Sequence, residues 1–117
     1  MSKEPPNPKL NFKTANVKQL MDDNPARIPV SLISQSPNLV FKEPDSLQPR
    51  NIKVAVLTQR IKQQVSLSAS DSLTLICKNS LLNPDRLLSE IYDQNADKDH
   101  VLRIQVKSIE SMGTTFN

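Results

Sequence analysis

Few side chains in this sequence are placed to do chemistry, and each has a bland explanation to set beside the chemical one. His100 is the only histidine of 117 residues, and Asp97 and Asp99 flank it in a charged loop, Asn95 to His100. A histidine among carboxylates suggests a metal site or a proton relay, yet one histidine in a charged loop is usually solvated surface. Cys77 is the only cysteine. It closes the apolar run Leu73-Thr74-Leu75-Ile76-Cys77, so a buried structural thiol is expected rather than a nucleophile. A lone thiol makes no internal disulfide, which points to a reducing compartment. A single glycine cannot build a phosphate-cradling loop, and no Cys/His cluster has zinc spacing. Asp93, Asp97 and Asp99 lack the glycine and closing glutamate of an EF-hand. Enzymatic activity is therefore not expected. There remains Gly113, the only glycine, in the terminal stretch IESMGTTFN, Ile109 to Asn117. An extended tail uses glycine's backbone freedom, and a tail glycine of no consequence is the bland explanation.

A chain of 117 residues is one ordinary domain able to build a core without staples. Hydrophobic residues make up 37% of it, with one tyrosine, three phenylalanines and no tryptophan, so the core must be aliphatic. The net charge of +3 comes from scattered lysines and arginines with few aromatics to stack on bases, which argues against nucleic acid as a partner. The N-terminal stretch MSKEPPNPKLNF lacks the apolar region of a signal peptide. No apolar stretch approaches the length of a membrane span, so membrane contact would need another anchor.

Elements follow from periodicity. Residues 1–11 contain Pro5, Pro6 and Pro8 and read as an extended arm. Thr14 is placed to cap a helix from Ala15 to Asp23, with Val17, Leu20 and Met21 on one face. Arg27 to Ser34 reads as a strand whose Pro29 implies an exposed position. Gln35 to Asn38 reads as a turn and Leu39 to Glu43 as the second strand of a hairpin, closed by Pro44-Asp45-Ser46. Arg50 to Val65 predicts a helix with Val54, Leu57, Ile61 and Val65 in one stripe. Leu73 to Cys77 reads as a buried strand. Asn83-Pro84-Asp85 opens a helix with Leu87, Leu88, Ile91 and Tyr92 on its apolar face, and Val101 to Lys107 alternates as a final strand. The expected fold is α+β: a ubiquitin-like β-grasp roll, ββαβαβ with a mixed four-stranded sheet, behind an N-terminal helical extension. Ferredoxin-like arrangements share these ingredients. The expected organisation is an arm and short helix at 1–24, a ubiquitin-like domain at 25–113 and a tail at 114–117.

The segments NPARIPV (Asn24–Val30), SEIYDQNADKD (Ser89–Asp99) followed by VLRIQV, and ESMG (Glu110–Gly113) together resemble the autophagy-related protein 8 family. LSASDSLTLICKNSLL adds to the match, and the resemblance spans Leu10 to Gly113. Five departures stand out. Asn24 replaces a usual tyrosine, the hairpin loop is shorter than the family's, Gln48 to Ile52 looks like an insertion, the N-terminus is too proline-rich for a good first helix, and Met112 replaces the aromatic before the glycine. The resemblance implies a ubiquitin-like modifier. It further implies that an autophagy cysteine protease removes Thr114 to Asn117, that activating and conjugating enzymes carry Gly113 as adenylate and thioesters, and that phosphatidylethanolamine receives it, since a side chain at the reacting carboxylate would obstruct attack. The protein is then expected to be a cytoplasmic monomer that moves to autophagosomal membranes on lipidation, with no cofactor. The sister family, autophagy-related protein 12, shares the fold and terminal glycine but joins a protein lysine. A ubiquitin-like interaction domain that is never conjugated is a third reading.

The family also binds cargo receptors and adaptors through aromatic-x-x-aliphatic motifs that add a strand to the hairpin edge. Carried over by position, the resemblance puts the aromatic pocket on Leu20, Pro29, Val40 and Val101. It puts the aliphatic pocket on Phe41, Pro44, Leu47, Leu57 and Ile61, with Lys42 along the docking strand and Arg27 nearby. Core packing competes as the explanation for Leu20, Leu57 and Ile61. A different register of the second strand would bring Leu47 and Pro49 to the edge instead.

Overall fold

The computed structural model describes residues 10–37, 39–65 and 71–110. Gly113, Met112, the tail and residues 1–9 of the arm lie outside the described residues. The element order is α1 (Val17–Asp23), β1 (Arg27–Ser34), β2 (Asp45–Pro49), α2 (Val54–Val65), β3 (Asp71–Cys77), β4 (Ser80–Leu81), α3 (Leu88–Asn95) and β5 (Leu102–Glu110). The strands form one five-stranded mixed sheet in the order β2-β1-β5-β3-β4, a ubiquitin-like arrangement. β1 and β5 are parallel at its centre, with Val30 opposite Leu102 and Leu32 opposite Ile104. β2 runs antiparallel to β1 on one side, and β3 antiparallel to β5 on the other.

Alternation along the central strands separates two faces. Ile28, Val30, Leu32, Leu102, Ile104 and Val106 point to one face and join Val54, Leu57 and Ile61 of α2 and Leu88 and Ile91 of α3 in the main core. The apolar stripe of α2 is the one its spacing predicts, and it faces the sheet because only that face of the helix is apolar. The opposite face carries a second, smaller cluster of Phe12, Val17 and Val101, with Leu10, Leu20, Met21 and Leu47 packed against it. The N-terminal extension thus covers one end of the outer sheet face.

Four sequence expectations shift. α1 is capped by Asn16, whose side chain accepts from the Gln19 N–H at 3.1 Å, and not by Thr14, which bonds back to Asn11 O. The second strand is Asp45–Pro49 and not Leu39–Glu43. Leu39 instead plugs the main core from the loop, with Phe41 packed beside it. Gln48 and Pro49 end β2, and Arg50 to Ile52 form its exit turn. A fifth strand, β4, pairs Ile76 with Leu81 across a two-residue turn at Lys78 and Asn79. Both turn residues have positive φ, 50° and 69°, the geometry of a type I′ hairpin made here without glycine. Finally, α3 starts at Leu88 and not near Pro84. The segment before it turns at Pro84–Asp85, where Arg86 N–H donates to Asn83 O, and is tied to the start of α2 and the residues just before it: Val54 N–H donates to Arg86 O, Ala55 N–H to Pro84 O and Leu88 N–H to Ile52 O.

Pro29 is fully buried, which corrects the expectation of an exposed strand position. Even-numbered residues of β1 address β2, as Leu32 N–H donating to Pro44 O shows, and odd-numbered ones address β5, as Gln35 N–H donating to Val106 O shows. Stepping back by twos brings residue 29 opposite His100 O, just before the β1–β5 register begins at Val30. That carbonyl accepts from the Tyr92 hydroxyl at 2.8 Å. Proline removes a donor where the acceptor is already satisfied, so it costs the central strand nothing.

Candidate functional site

β2 is an edge strand of the sheet. Its pairing with β1 turns the N–H and C=O groups of Ser46 and Gln48 inward, so those of Asp45 and Leu47 point outward. This row of outward backbone groups can accept an added strand. Two features restrict it. The Arg27 guanidinium donates to Leu47 O at 3.2 Å, and Pro49 has no N–H to offer.

The two flanks of this edge differ in chemistry. On the outer face, Leu47 lies opposite Pro29 and packs with Leu20 and Met21 of α1 against Val101 and Phe12. Leu20, Pro29, Leu47 and Val101 are thus brought together, and Leu47 belongs with the residues assigned from sequence to the aromatic pocket. Val101 and Pro29 are fully buried as its floor, while Leu20, Met21 and Leu47 are half-buried. On the α2 flank, Gln48 Oε1 accepts from Arg60 at 3.3 Å, a polar pair where an apolar pocket was expected.

The remaining assignments separate. Leu57 and Ile61 are each 2% exposed inside the main core, where a ligand cannot reach them. Val40 is 75% exposed and stands in the loop before β2, away from Leu20 and Val101. Phe41 packs on the core from that same loop, and Lys42 is exposed there instead of running along the edge strand. All three moves have one cause, the displacement of β2 to Asp45–Pro49. Pro44 stays at the edge, where its carbonyl accepts from Leu32 N–H, and Arg27 stays exposed beside Leu47.

Sequence reasoning missed Asp45. One of its carboxylate oxygens accepts from the Ser31 hydroxyl at 2.6 Å, and the other from the backbone N–H of Phe12 at 2.9 Å. Ser31 and Asp45 form a cross-strand pair, and Phe12 is 33 residues away in sequence. Asp45 was read as turn chemistry between Pro44 and Ser46, and no local pattern marks a bond of that span.

The acidic loop that had suggested a metal or relay is occupied by ion pairs. Arg103 donates to Asp97 at 2.8 Å and to both Asp99 oxygens at 2.8 and 3.0 Å, and Lys78 approaches Asp97 at 3.6 Å. The Arg103 hydrogen bond holds the Asp99 carboxyl below the usual carboxylate range, and the two carboxylates push the guanidinium pKa up. His100 is exposed with φ of 71°. Among the described residues, no three His, Cys, Asp or Glu side chains converge to hold a metal. Burial raises the pKa of the Cys77 thiol, which donates to Arg103 O at 3.2 Å. It is a core residue as expected. Among the described residues no helix is long and apolar enough to cross a membrane.

Residues 13–113 match the family described as Autophagy protein Atg8 ubiquitin like, and the last matched residue is Gly113. Autophagy-related protein 8c of Arabidopsis thaliana is 27% identical over 108 residues, covering 89% of each chain. Among solved structures, ATG8 of Trypanosoma brucei superposes with a TM-score of 0.74 at 18% identity, over 89% of this chain and 93% of the other. Atg8 of Plasmodium falciparum, solved in complex with a P. falciparum Atg3 peptide, superposes with a TM-score of 0.71 at 20% identity, over 86% and 94%. At these identities the structural likeness speaks for the fold.

Proposed function

The chain belongs to the Atg8 family of ubiquitin-like autophagy proteins, and from that premise we propose that it is a lipid-conjugated modifier that also docks peptides on its β2 edge. The observation that carries this reading is the family match running to Gly113, three positions beyond the last residue of β5. A cysteine protease hydrolyses the Gly113–Thr114 peptide bond and frees the Gly113 carboxylate. Attack of that carboxylate on ATP gives an acyl-adenylate and pyrophosphate. An enzyme thiolate displaces AMP to form a thioester, and a second thiolate takes over the acyl group. The amine of phosphatidylethanolamine then attacks the thioester, forming an amide and releasing the thiol. Two acyl chains hold the cytoplasmic protein on an autophagosomal membrane, where one chain alone would bind only marginally. The protein is the substrate of these steps and their catalysts are its partners.

Docking uses the outward backbone groups of Asp45 and Leu47. An aromatic ligand side chain fits over Leu20, Met21 and Leu47 above Val101 and Pro29, and the polar Gln48–Arg60 pair meets the other side of the ligand. The P. falciparum relative was solved in complex with an Atg3 peptide, which supports peptide binding as such. Cargo receptors and adaptors with an aromatic anchor are its partners, and Arg27 must leave Leu47 O for the full ladder to form.

Gly113→Ala tests the conjugation half. In a reconstituted reaction with protease, activating and conjugating enzymes and phosphatidylethanolamine vesicles, the wild type is expected to gain the mass of one phospholipid after losing residues 114–117, and the variant to stay unconjugated. Lipidation of Gly113→Ala at the wild-type rate would refute the assignment. A protein-sized adduct on a lysine would place the chain with the protein-conjugated modifiers instead.

A further inference from the structure

The outer wall of the β2 pocket is not part of the sheet. It is the N-terminal extension, residues 10–23, laid against the sheet's outer face. Phe12 is 6% exposed there, beneath Leu20 and Leu47. Three contacts fix it in place among the described residues: the apolar cluster itself, the Tyr92 hydroxyl against Met21 Sδ at 3.6 Å at the α1 end, and the Asp45 carboxylate at the Phe12 end. Asp45 reaches from the edge strand to the Phe12 N–H while its other oxygen is held by Ser31. The same residue carries outward-pointing backbone groups of the docking edge. Hydrogen bonds to a charged carboxylate are stronger than neutral ones, and this one joins segments 33 residues apart.

We infer that Asp45 is a positioning residue for peptide docking: it latches the N-terminal extension to the edge strand, and the aromatic pocket exists only while that latch is closed. The inference rests on the docking reading above. Release of the Phe12 N–H frees the extension to lift, taking Leu20 and Met21 away from Leu47 and leaving Val101 uncovered. The wall and the edge then behave as one unit, and a ligand that bridges both stabilises the closed latch. By linkage, the factor by which the latch tightens the ligand is the factor by which the ligand tightens the latch.

The test uses the full chain and a fluorescein-labelled peptide carrying one aromatic and, three positions later, one leucine. Affinity is read by anisotropy and latch closure by amide hydrogen exchange at Phe12 and in Val17–Asp23. In Asp45→Ala, affinity is expected to fall and exchange at Phe12 to rise, each by about tenfold, the order expected for losing a charge-assisted bond, with amides of β3 and β5 unchanged. Asp45→Asn keeps one acceptor for the Phe12 N–H and an amide for the Ser31 hydroxyl but loses the charge, so it is expected to restore both readouts in part, to between the alanine variant and the wild type. Saturating peptide is expected to slow Phe12 exchange in the wild type. Unchanged affinity and exchange in Asp45→Ala would overturn the inference. So would a loss that spreads to β3 and β5 and is not rescued by Asp45→Asn. Failure of the wild type to bind the peptide would overturn the docking reading, and the exchange data would still decide the latch.

Discussion

Replacing Ile61 by alanine removes three carbons from a side chain that is 2% exposed and packed in the main core. At about 0.8 kcal/mol per buried methylene the transfer loss alone is about 2.4 kcal/mol. The space left behind raises the cost within the ~2–5 kcal/mol range of such truncations. For a domain of this size each kcal/mol moves Tm by roughly 4–8 °C, so the midpoint should fall by at least ~10 °C. The resemblance had placed Ile61 in a ligand pocket, and the two roles separate cleanly. A core residue lowers Tm and leaves peptide affinity unchanged at a temperature where the variant is folded. A pocket residue lowers affinity and leaves Tm alone. Circular-dichroism melts and anisotropy titrations at low temperature, run on the same samples, distinguish them. A Tm within about 2 °C of wild type with lost affinity would refute the burial argument.

Val40→Ala, at a site 75% exposed, should change stability by less than about 0.5 kcal/mol in urea titrations and leave peptide affinity unaltered. Cys77 should react with a thiol reagent at mildly alkaline pH at least ~100-fold more slowly than a free thiol until denaturant is added, because burial raises its pKa and a core strand must open first. Asp99 has a folded pKa below its unfolded value. Its pairing therefore supports stability above the unfolded value, roughly pH 4, and the support is lost as pH falls through the folded value. The urea-midpoint gap between wild type and Asp99→Asn should accordingly close on acidification. Asn79→Gly, at φ of 69°, relieves a left-handed residue in the hairpin turn and should raise the urea midpoint slightly, by up to about 1 kcal/mol of stability.

The elements read correctly from sequence are those whose burial imprints a period. β1 and β5 occupy the centre of the sheet, and the stripe Val54-Leu57-Ile61 of α2 faces it. β2 was misplaced because its composition, Asp-Ser-Leu-Gln-Pro, is that of a turn, whereas Leu39-Val40-Phe41 has the composition of a strand. Pairing with β1 overrides propensity at an edge, where context decides most. β4 has two residues, too few to show any period. The late start of α3 depends on bonds to residues 50–55, which no local signal reveals. At the site, Leu20, Pro29 and Val101 were singled out through resemblance, and the structure packs them around Leu47 on the outer face. Asp45 and Phe12 were invisible because their meeting is a tertiary event.

The parallel pairing at the centre of the sheet has a kinetic consequence. Val30 and Leu102 are neighbours in space but 72 positions apart in the chain. While the polypeptide is being synthesised, the β1–β2 and β3–β4 hairpins can form locally, yet nothing joins them until β5 has left the ribosome. Until then β1 and β3 each expose an unpaired apolar edge, which other chains can capture. Closing so long a loop is slow, so the last strand made is the one that commits the chain to its fold. A nascent chain that stalls before Val101 is left as two sticky halves.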